Sequence, residues 1–188
     1  MTRGLGGNDM TIDIARLRAK WGWSTLFSIL PFAVMGWLDG AAKAAAGFGV
    51  LDLQFAGTEG KTRQVLEAWS AAGVGPQIGF SLGVDYLYML LYAFALFYGA
   101  IAAREAFARE PGGLRRFLTL AACAGPVAAL IDVVENAIHA GMLFGTMGPD
   151  AVSLSYPITL GKWALVVVAL LLALAGLVGL LTGRLKKA

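Results

Sequence analysis

The sequence predicts an all-α integral membrane protein in which four transmembrane helices form one bundle, with an amphipathic helix in the first outer loop. The chain of 188 residues is 58% apolar and 14% charged, and its mean hydropathy is +0.70. Soluble domains carry about 25% charged residues, so this chain belongs to a different class. Its long apolar runs reach the roughly 20 residues that a spanning helix needs. Its 25 glycines suit close packing of membrane helices.

The four spans are expected at about 21–46, 78–103, 117–144 and 157–182, within one membrane domain that covers residues 1–188. Tryptophans at the start of the first span are typical of interfacial anchors. In the third span, Gly125-Pro126 predicts a bend. In the fourth, small residues recur at spacings of three and four, which predicts a packing ridge. The ridge consists of Ala169, Ala173, Gly176, Gly179 and Gly183.

The loop between the first two spans is long enough to contain structure of its own. Its segment 51–55 alternates apolar and polar residues, which predicts an extended conformation. Residues 58–72 then follow a helical pattern, because Val65 and Trp69 fall on one face and Gly73 is a natural stop. We expect this helix to lie over the mouth of the bundle or on the membrane surface.

Basic residues predict the orientation of the four spans. Eleven of the 15 lie on one side of the predicted spans, and the positive-inside rule makes that side cytoplasmic. Both termini are therefore expected in the cytoplasm, and the protein in a bacterial inner membrane. The cytoplasmic set is Arg3, Arg16, Arg18, Lys20, Arg104, Arg109, Arg115, Arg116, Arg184, Lys186 and Lys187. This arrangement explains the basic pI near 9.2 without a nucleic-acid partner.

The third span carries an unusual concentration of polar side chains. Asp132, Glu135, Asn136 and His139 follow one another at spacings of three, one and three. On a helix they fall within roughly a 100° arc of one face. Ionisable groups at membrane depth are costly, and a functional site is the default hypothesis for them.

Acids on three different spans are expected at a similar depth. With a rise of about 1.5 Å per residue, Asp39, Asp85 and Glu135 each lie roughly 7–9 Å outward of the span centre. Lys162 enters the same half from the fourth span, and Tyr88 and Tyr92 share a helix face with Asp85. The sequence thus predicts one outward-facing acidic pocket.

Within this pocket, the acids and the histidine are the candidates for acid/base catalysis. These candidates are Asp85, Asp132, Glu135 and His139. Carboxyl groups that share a buried site cannot all be ionised, so one can donate a proton while another remains a base. The remaining polar residues are candidates for ligand binding. They are Asp39, Tyr88, Tyr92, Asn136 and Lys162.

Several functions are compatible with such a pocket. The first is binding of an apolar or amphiphilic lipid, isoprenoid or sterol-like molecule, with acid/base isomerisation or cyclisation as the reaction. The second is proton-coupled transport, which in so short a chain implies a homo-oligomer. The third is a structural subunit in which the polar groups only join helices. A metal site is a further alternative, but with one histidine the chain has no standard ligand pattern. No cofactor is expected, because no phosphate-binding glycine loop or cysteine pair is present.

The chain resembles a group of uncharacterised four-helix bacterial membrane proteins. The likeness rests on Leu51-Asp52-Leu53-Gln54-Phe55 after the first span, on Asp85, and on the Asp132-x-x-Glu135-Asn136 pattern of the third span. More remotely, the layout is similar to the EXPERA superfamily, which includes sterol isomerases and emopamil-binding proteins. That resemblance implies a sterol-sized cavity with acids at Asp39 or Asp52 and at Asp85, although here the histidine lies on the third helix.

Overall fold

The computed structural model describes residues 13–108 and 111–185. Four helical spans are long and apolar enough to cross a membrane: Ile14–Ala46, Gly75–Phe107, Gly113–Leu143 and Pro149–Leu181. The chain is therefore a multi-pass membrane protein with an all-α bundle, which confirms the predicted fold class. Four of the basic residues used for the orientation, Arg3, Arg109, Lys186 and Lys187, lie outside the described residues.

The first span is helix α1, Ile14–Ala46, and a short helix α2, Val50–Gln54, follows it. Segment 51–55 was expected to be extended, and this prediction is wrong. Two carboxylates favour the helix there, because Asp39 accepts a hydrogen bond from the Val50 N–H and Asp52 accepts one from the Gly49 N–H. Such capping satisfies amide groups that have no partner within the helix.

Helix α3, Glu59–Ala71, lies within one residue at each end of the predicted loop helix. The Thr58 hydroxyl caps its N-terminus, and Gly73 adopts the left-handed backbone conformation that ends it. Its inward face buries Val65 and Trp69 against apolar residues of the neighbouring helices. Helices α2 and α3 therefore close one end of the bundle, which we name the capped end.

The second span is helix α4, Gly75–Phe107, and it is the central helix of the bundle. It packs against α1 on one side and against the third and fourth spans on the other. It extends three residues before and four residues after the apolar run 78–103. Charged residues such as Arg104 and Glu105 continue a helix beyond the segment that hydropathy detects.

The third span consists of helix α5, Gly113–Ala121, and helix α6, Ala124–Leu143, with a turn at residues 122–123. Pro126 has no N–H for the Ala122 carbonyl, so the helix is interrupted one turn before it, as the Gly125-Pro126 pair predicts. At Gly125 the backbone also approaches α4, since a Cβ there would lie 2.8 Å from the Leu96 Cβ.

The fourth span begins with a short 3-10 helix, Pro149–Ala151, and continues as helix α7, Val152–Leu181. It begins earlier than predicted, and Pro157 lies inside the helix rather than at its start. Ala169, Ala173, Gly176 and Gly179 are buried, so the predicted small-residue ridge is confirmed up to Gly179. Gly183 instead lies beyond the helix with a φ of 72°.

Candidate functional site

Helix α6 carries the polar stripe into the interior of the bundle. Asp132 is 5% exposed, and Glu135, Asn136 and His139 are fully buried. The intervening Val133 and Val134 are exposed on the opposite face. The helical spacing thus places every ionisable group of α6 against protein rather than lipid, as is usual for charged residues at membrane depth.

Lys162 of α7 provides the positive charge of this cluster. Its Nζ lies 2.6 Å from Glu135 Oε2 and 3.0 Å from Asp132 Oδ1. The lysine side chain is 4% exposed, so the ion pairs form without solvent. A buried charge is tolerated only when it is paired in this way. Lys162 therefore joins two carboxylates that are one helical turn apart on α6.

Hydroxyl groups complete the coordination of the two carboxylates. The Thr159 Oγ1 donates to Glu135 Oε1 at 2.7 Å, and the Tyr92 hydroxyl donates to Asp132 Oδ2 at 3.0 Å. Tyr92 belongs to α4, so the cluster joins the three helices α4, α6 and α7. Such hydrogen bonds shorten and strengthen when the acceptor is ionised.

The antiparallel contact between α6 and α7 follows a regular register. Asp132 pairs with Lys162 and Glu135 with Thr159, so three residues forward on α6 correspond to three residues back on α7. One further turn of four residues on each helix places Ser155 opposite His139. Ser155 is 1% exposed, consistent with that position. We call these three levels the polar ladder.

Thr159 and Ser155 are site residues that the sequence prediction did not include. A signal for them exists, because Ser155, Thr159 and Lys162 follow one another at spacings of four and three and therefore share a helix face. Hydroxyl residues are common in membrane helices and rarely mark a site by themselves. Their significance becomes visible only when Lys162 is known to face α6.

Asp85 lies at the edge of the cluster. The Asn136 Nδ2 donates to its Oδ2 at 2.9 Å, which ties α4 to α6. The structure shows no basic side chain paired with Asp85 among the described residues. Asp85 is only half-buried, in contrast to Glu135. It is thus the one carboxyl group of the cluster that is partly accessible from outside the protein.

Aromatic residues flank Asp85 on the side towards α1. The Tyr88 ring lies 5.1 Å from the Tyr92 ring and 5.6 Å from the Phe32 ring of α1, measured between centroids. Because α1 contacts α4 at Phe32 and α6 contacts it at Asn136, the half-buried Asp85 and Tyr88 lie between the two neighbouring helices. We call this surface the lateral groove.

Asp39 does not join the cluster. Its carboxylate accepts a hydrogen bond from the Val50 N–H, at the N-terminus of α2. The reason is that α1 packs mainly against α4 and contributes no side chain to the α6/α7 contact described above. The expected depth was similar to that of Asp85, but depth alone does not determine which way a side chain points.

The space beneath α3 is filled rather than open. Trp69 is 1% exposed and packs with Ile138, Met142, Ile78 and Leu82, and its Nε1 donates to the Phe48 carbonyl at 2.8 Å. An outward pocket was expected at this position. An open cavity of about 670 Å³ instead lies at the opposite end, lined by the end of α4, the start of α5 and residues 183–184.

Several buried polar atoms have no hydrogen-bond partner among the described residues. They are the Thr62 Oγ1, the Asn136 Oδ1, both ring nitrogens of His139 and the Ser155 Oγ, while the Glu135 Oε2 has only its ion pair with Lys162. The His139 Nδ1 lies 3.9 Å from the Glu135 Oε1, which is beyond hydrogen-bonding distance. Buried polar atoms are normally satisfied, so each of these needs a partner that is not a protein side chain.

The cluster has more carboxyl groups than positive charges. Asp85, Asp132 and Glu135 face a single ammonium group, that of Lys162. Burying an excess of like charge is unfavourable, so the cluster requires protons or a bound cation for balance. Among the described residues, no three acidic, cysteine or histidine side chains are close enough together to hold a metal ion.

Comparisons with known proteins leave the site to be interpreted from its own geometry. No protein-family model matches the chain, and no curated protein or solved structure shows significant similarity to it.

Proposed function

We propose that the protein binds an apolar or amphiphilic lipid-like molecule within the membrane, and that Asp85 contacts the polar part of that molecule. The observation that carries this proposal is the half-buried Asp85 in the lateral groove. A carboxyl group at membrane depth without a paired cation is costly, which makes a functional role the default explanation. The lateral groove lies between membrane-spanning helices, so an apolar ligand that is dissolved in lipid reaches it without crossing water.

The surroundings of Asp85 match such a ligand. Tyr88 and the 61% exposed Phe32 offer aromatic surface for apolar groups, and the Tyr88 hydroxyl adds a polar contact. Ligand sites are usually apolar surfaces with a few polar groups that orient the ligand. Isoprenoid or sterol-like molecules combine one polar group with a rigid apolar body and fit this description.

The proposal includes acid/base chemistry as its reaction. Asp85 is the group that adds a proton to a double bond or removes one, because it is the accessible carboxyl. Isomerisation or cyclisation by this route needs no cofactor. Asn136 orients Asp85 and links it to α6. Glu135, which is fully buried, supplies charge to the network and does not contact the ligand.

The proposed location is a bacterial inner membrane, with both termini in the cytoplasm and the capped end outside. The distribution of basic residues supports this orientation. A reporter that is active only in the cytoplasm tests it, either fused to the C-terminus or inserted at the exposed Gly60. The C-terminal fusion should be active and the Gly60 insertion inactive.

Mass spectrometry of lipids extracted from the purified protein tests ligand binding directly. We expect a stoichiometric lipid-like molecule in the wild type. The bound amount should fall at least about tenfold in Asp85→Asn, because the substitution removes the carboxylate charge and changes the hydrogen bonds that the side chain can form. Asn can still accept from Asn136, so folding is preserved. Asp150→Asn, on the exposed 3-10 helix, is the matched control. Equal lipid content in all three proteins would contradict the proposal.

Proton-coupled transport by a homo-oligomer is the second candidate, and the excess of carboxyl groups over Lys162 favours it. Such a cluster can take up and release protons as it changes its exposure. Proton flux in proteoliposomes that disappears in Asp85→Asn, together with the absence of any bound lipid, would favour transport. If neither lipid nor flux is found, the remaining interpretation is that the network only joins helices.

A further inference from the structure

We propose that the polar ladder holds a chain of ordered water at the level of His139 and Ser155, and that this chain exchanges protons between the buried carboxyl groups and the aqueous phase at the capped end. This site is separate from the lateral groove. It does not depend on which ligand, if any, Asp85 binds.

Buried polar atoms without a partner lie at the level of His139 and Ser155. Both nitrogens of the fully buried His139 and the Oγ of Ser155 lack a protein partner among the described residues, and register places the two side chains opposite each other. A neutral imidazole has one donor and one acceptor, and a hydroxyl has both. Water satisfies such a mixed set, and buried water commonly bridges polar groups of this kind.

A further unpartnered hydroxyl group lies on the capped-end side of the bundle. Thr62 of α3 is a fully buried hydroxyl residue at the capped end, and its Oγ1 also has no partner in the described structure. It lies on the inward face of α3, the same face that carries Val65 and Trp69. Unpartnered polar groups thus occur on α6, on α7 and on the helix that covers them. Elsewhere beneath α3 the core is apolar.

The position of His139 next to Glu135 suits proton transfer. His139 Nδ1 is 3.9 Å from Glu135 Oε1, a gap that a small rotation of either side chain closes. When a protonated Glu135 gives its proton to Nδ1, the Nε2 proton passes to water and the imidazole is neutral again. The reverse sequence returns a proton to the carboxylate. Histidine is suited to such transfer because its two nitrogens act independently.

The surrounding charges are few. Lys162 and Asp132 lie one level deeper, and Glu135 is the one acid within 4 Å of the imidazole among the described residues. From α7 the facing group is the neutral Ser155, and the buried polar residue of α3 is the neutral Thr62. The ladder is therefore a polar path that ends at one charged cluster.

The sequence contains a single histidine, so histidine labelled with nitrogen-15 gives one imidazole signal. The experiment uses untagged full-length protein in lipid bilayers and measures magnetisation transfer from water to the His139 ring. We expect a water cross-peak in the wild type. It should weaken several-fold in Ser155→Ala and persist in Ser153→Ala, whose hydroxyl lies on the exposed face of the same helix. A wild-type ring without water contact would overturn the proposal, as would equal cross-peaks in both variants.

A second measurement tests proton exchange itself. Infrared spectroscopy follows the buried carboxyl band after transfer into heavy water. His139→Gln should slow the exchange by about tenfold or more, since it removes the group that relays the proton. Thr62→Val is a second variant that leaves α6 and α7 unchanged and should also slow it. Unchanged rates in both would contradict the relay. Because lipid content is measured on the same samples, loss of the ligand and loss of exchange can be told apart.

Discussion

The two halves of the bundle hold the same helices together by different means. Towards the capped end, α4, α6 and α7 are joined by ion pairs and hydrogen bonds around Lys162. In the other half, α4 and α7 meet through small residues. A Cβ on Gly176 would collide with the Gly99 carbonyl oxygen, and one on Gly99 would lie 2.6 Å from the Ala173 Cβ.

This difference shows how a polar site is kept in a membrane protein. Close backbone approach through glycine and alanine gives van der Waals packing without polar groups, and it is a common way for membrane helices to associate. With that half holding α4 and α7 together, the polar half can carry an incompletely satisfied network. Unsatisfied atoms cost stability, and they are kept where they serve a function.

Removing Lys162 should have the largest effect. Lys162→Met leaves Asp132 and Glu135 buried without a positive partner, and breaking a buried pair in this way costs about 3–5 kcal/mol of the free energy of unfolding. The measurement is equilibrium unfolding in mixed micelles. Adding Asp132→Asn and Glu135→Gln to the same protein should recover most of the loss. If Lys162→Met alone is as stable as the wild type, the ammonium group of Lys162 does not stabilise the polar half.

The small-residue half is tested by a pair of identical substitutions on α7. Gly176→Ala should cost up to about 3 kcal/mol, because the new Cβ meets backbone that cannot rotate away. Gly161→Ala meets no atom within 4 Å and should be neutral, or stabilising by up to about 1 kcal/mol through helix propensity. Thermal unfolding of both proteins gives the comparison. Equal effects would mean that close approach of α4 and α7 is unimportant.

One hydrogen bond within the ladder should have an intermediate effect. Thr159→Val keeps the shape of the side chain and removes the donor to Glu135, at a cost of about 1–2 kcal/mol. Thr182→Val is the control, since the Thr182 hydroxyl bonds only to carbonyls of its own helix. The measurement is the unfolding midpoint of Thr159→Val compared with that of Thr182→Val. If Thr159→Val lowers the free energy of unfolding no more than Thr182→Val does, the hydrogen bond from Thr159 to Glu135 does not stabilise the fold.

The smallest effect should come from a lysine on the surface of the capped end. Lys43 pairs with Asp52 at 3.4 Å, but its side chain is 60% exposed. Exposed pairs contribute about 0–1 kcal/mol, so Lys43→Ala should be nearly neutral. The contrast with Lys162→Met, in the same assay, measures what burial adds to a lysine–carboxylate pair. A loss as large as that of Lys162→Met would show that α2 depends on this surface pair.

The candidate site was partly predictable for a clear reason. Helical periodicity determines which residues share a face, so the stripe of Asp132, Glu135, Asn136 and His139 could be identified without coordinates. Hydropathy gave the depth of Lys162 and Asp85. Neither property says which helices are neighbours, and this is why Asp39 was grouped with the others while Thr159 and Ser155 were not included.

The short helix α2 also depends on a contact with a neighbouring helix that the sequence pattern does not reveal. A five-residue alternation of apolar and polar residues is compatible with a strand or a helix. Asp52 within the segment accepts a hydrogen bond from the Gly49 N–H, and Asp39, eleven residues earlier in the chain, accepts one from the Val50 N–H. A cap contributed by another helix is invisible to any local pattern.

By itself, the amino-acid sequence determined that the chain forms four apolar spans with a capping helix between the first two, and that one face of the third span is polar. Composition and periodicity are properties of each segment alone, so they can be interpreted segment by segment. Only the tertiary structure decided that Lys162 lies between Asp132 and Glu135, that Asp39 turns to α2, and that Asp85 remains at the lateral groove. These features depend on which helix faces are in contact, and that is settled by packing of the whole bundle.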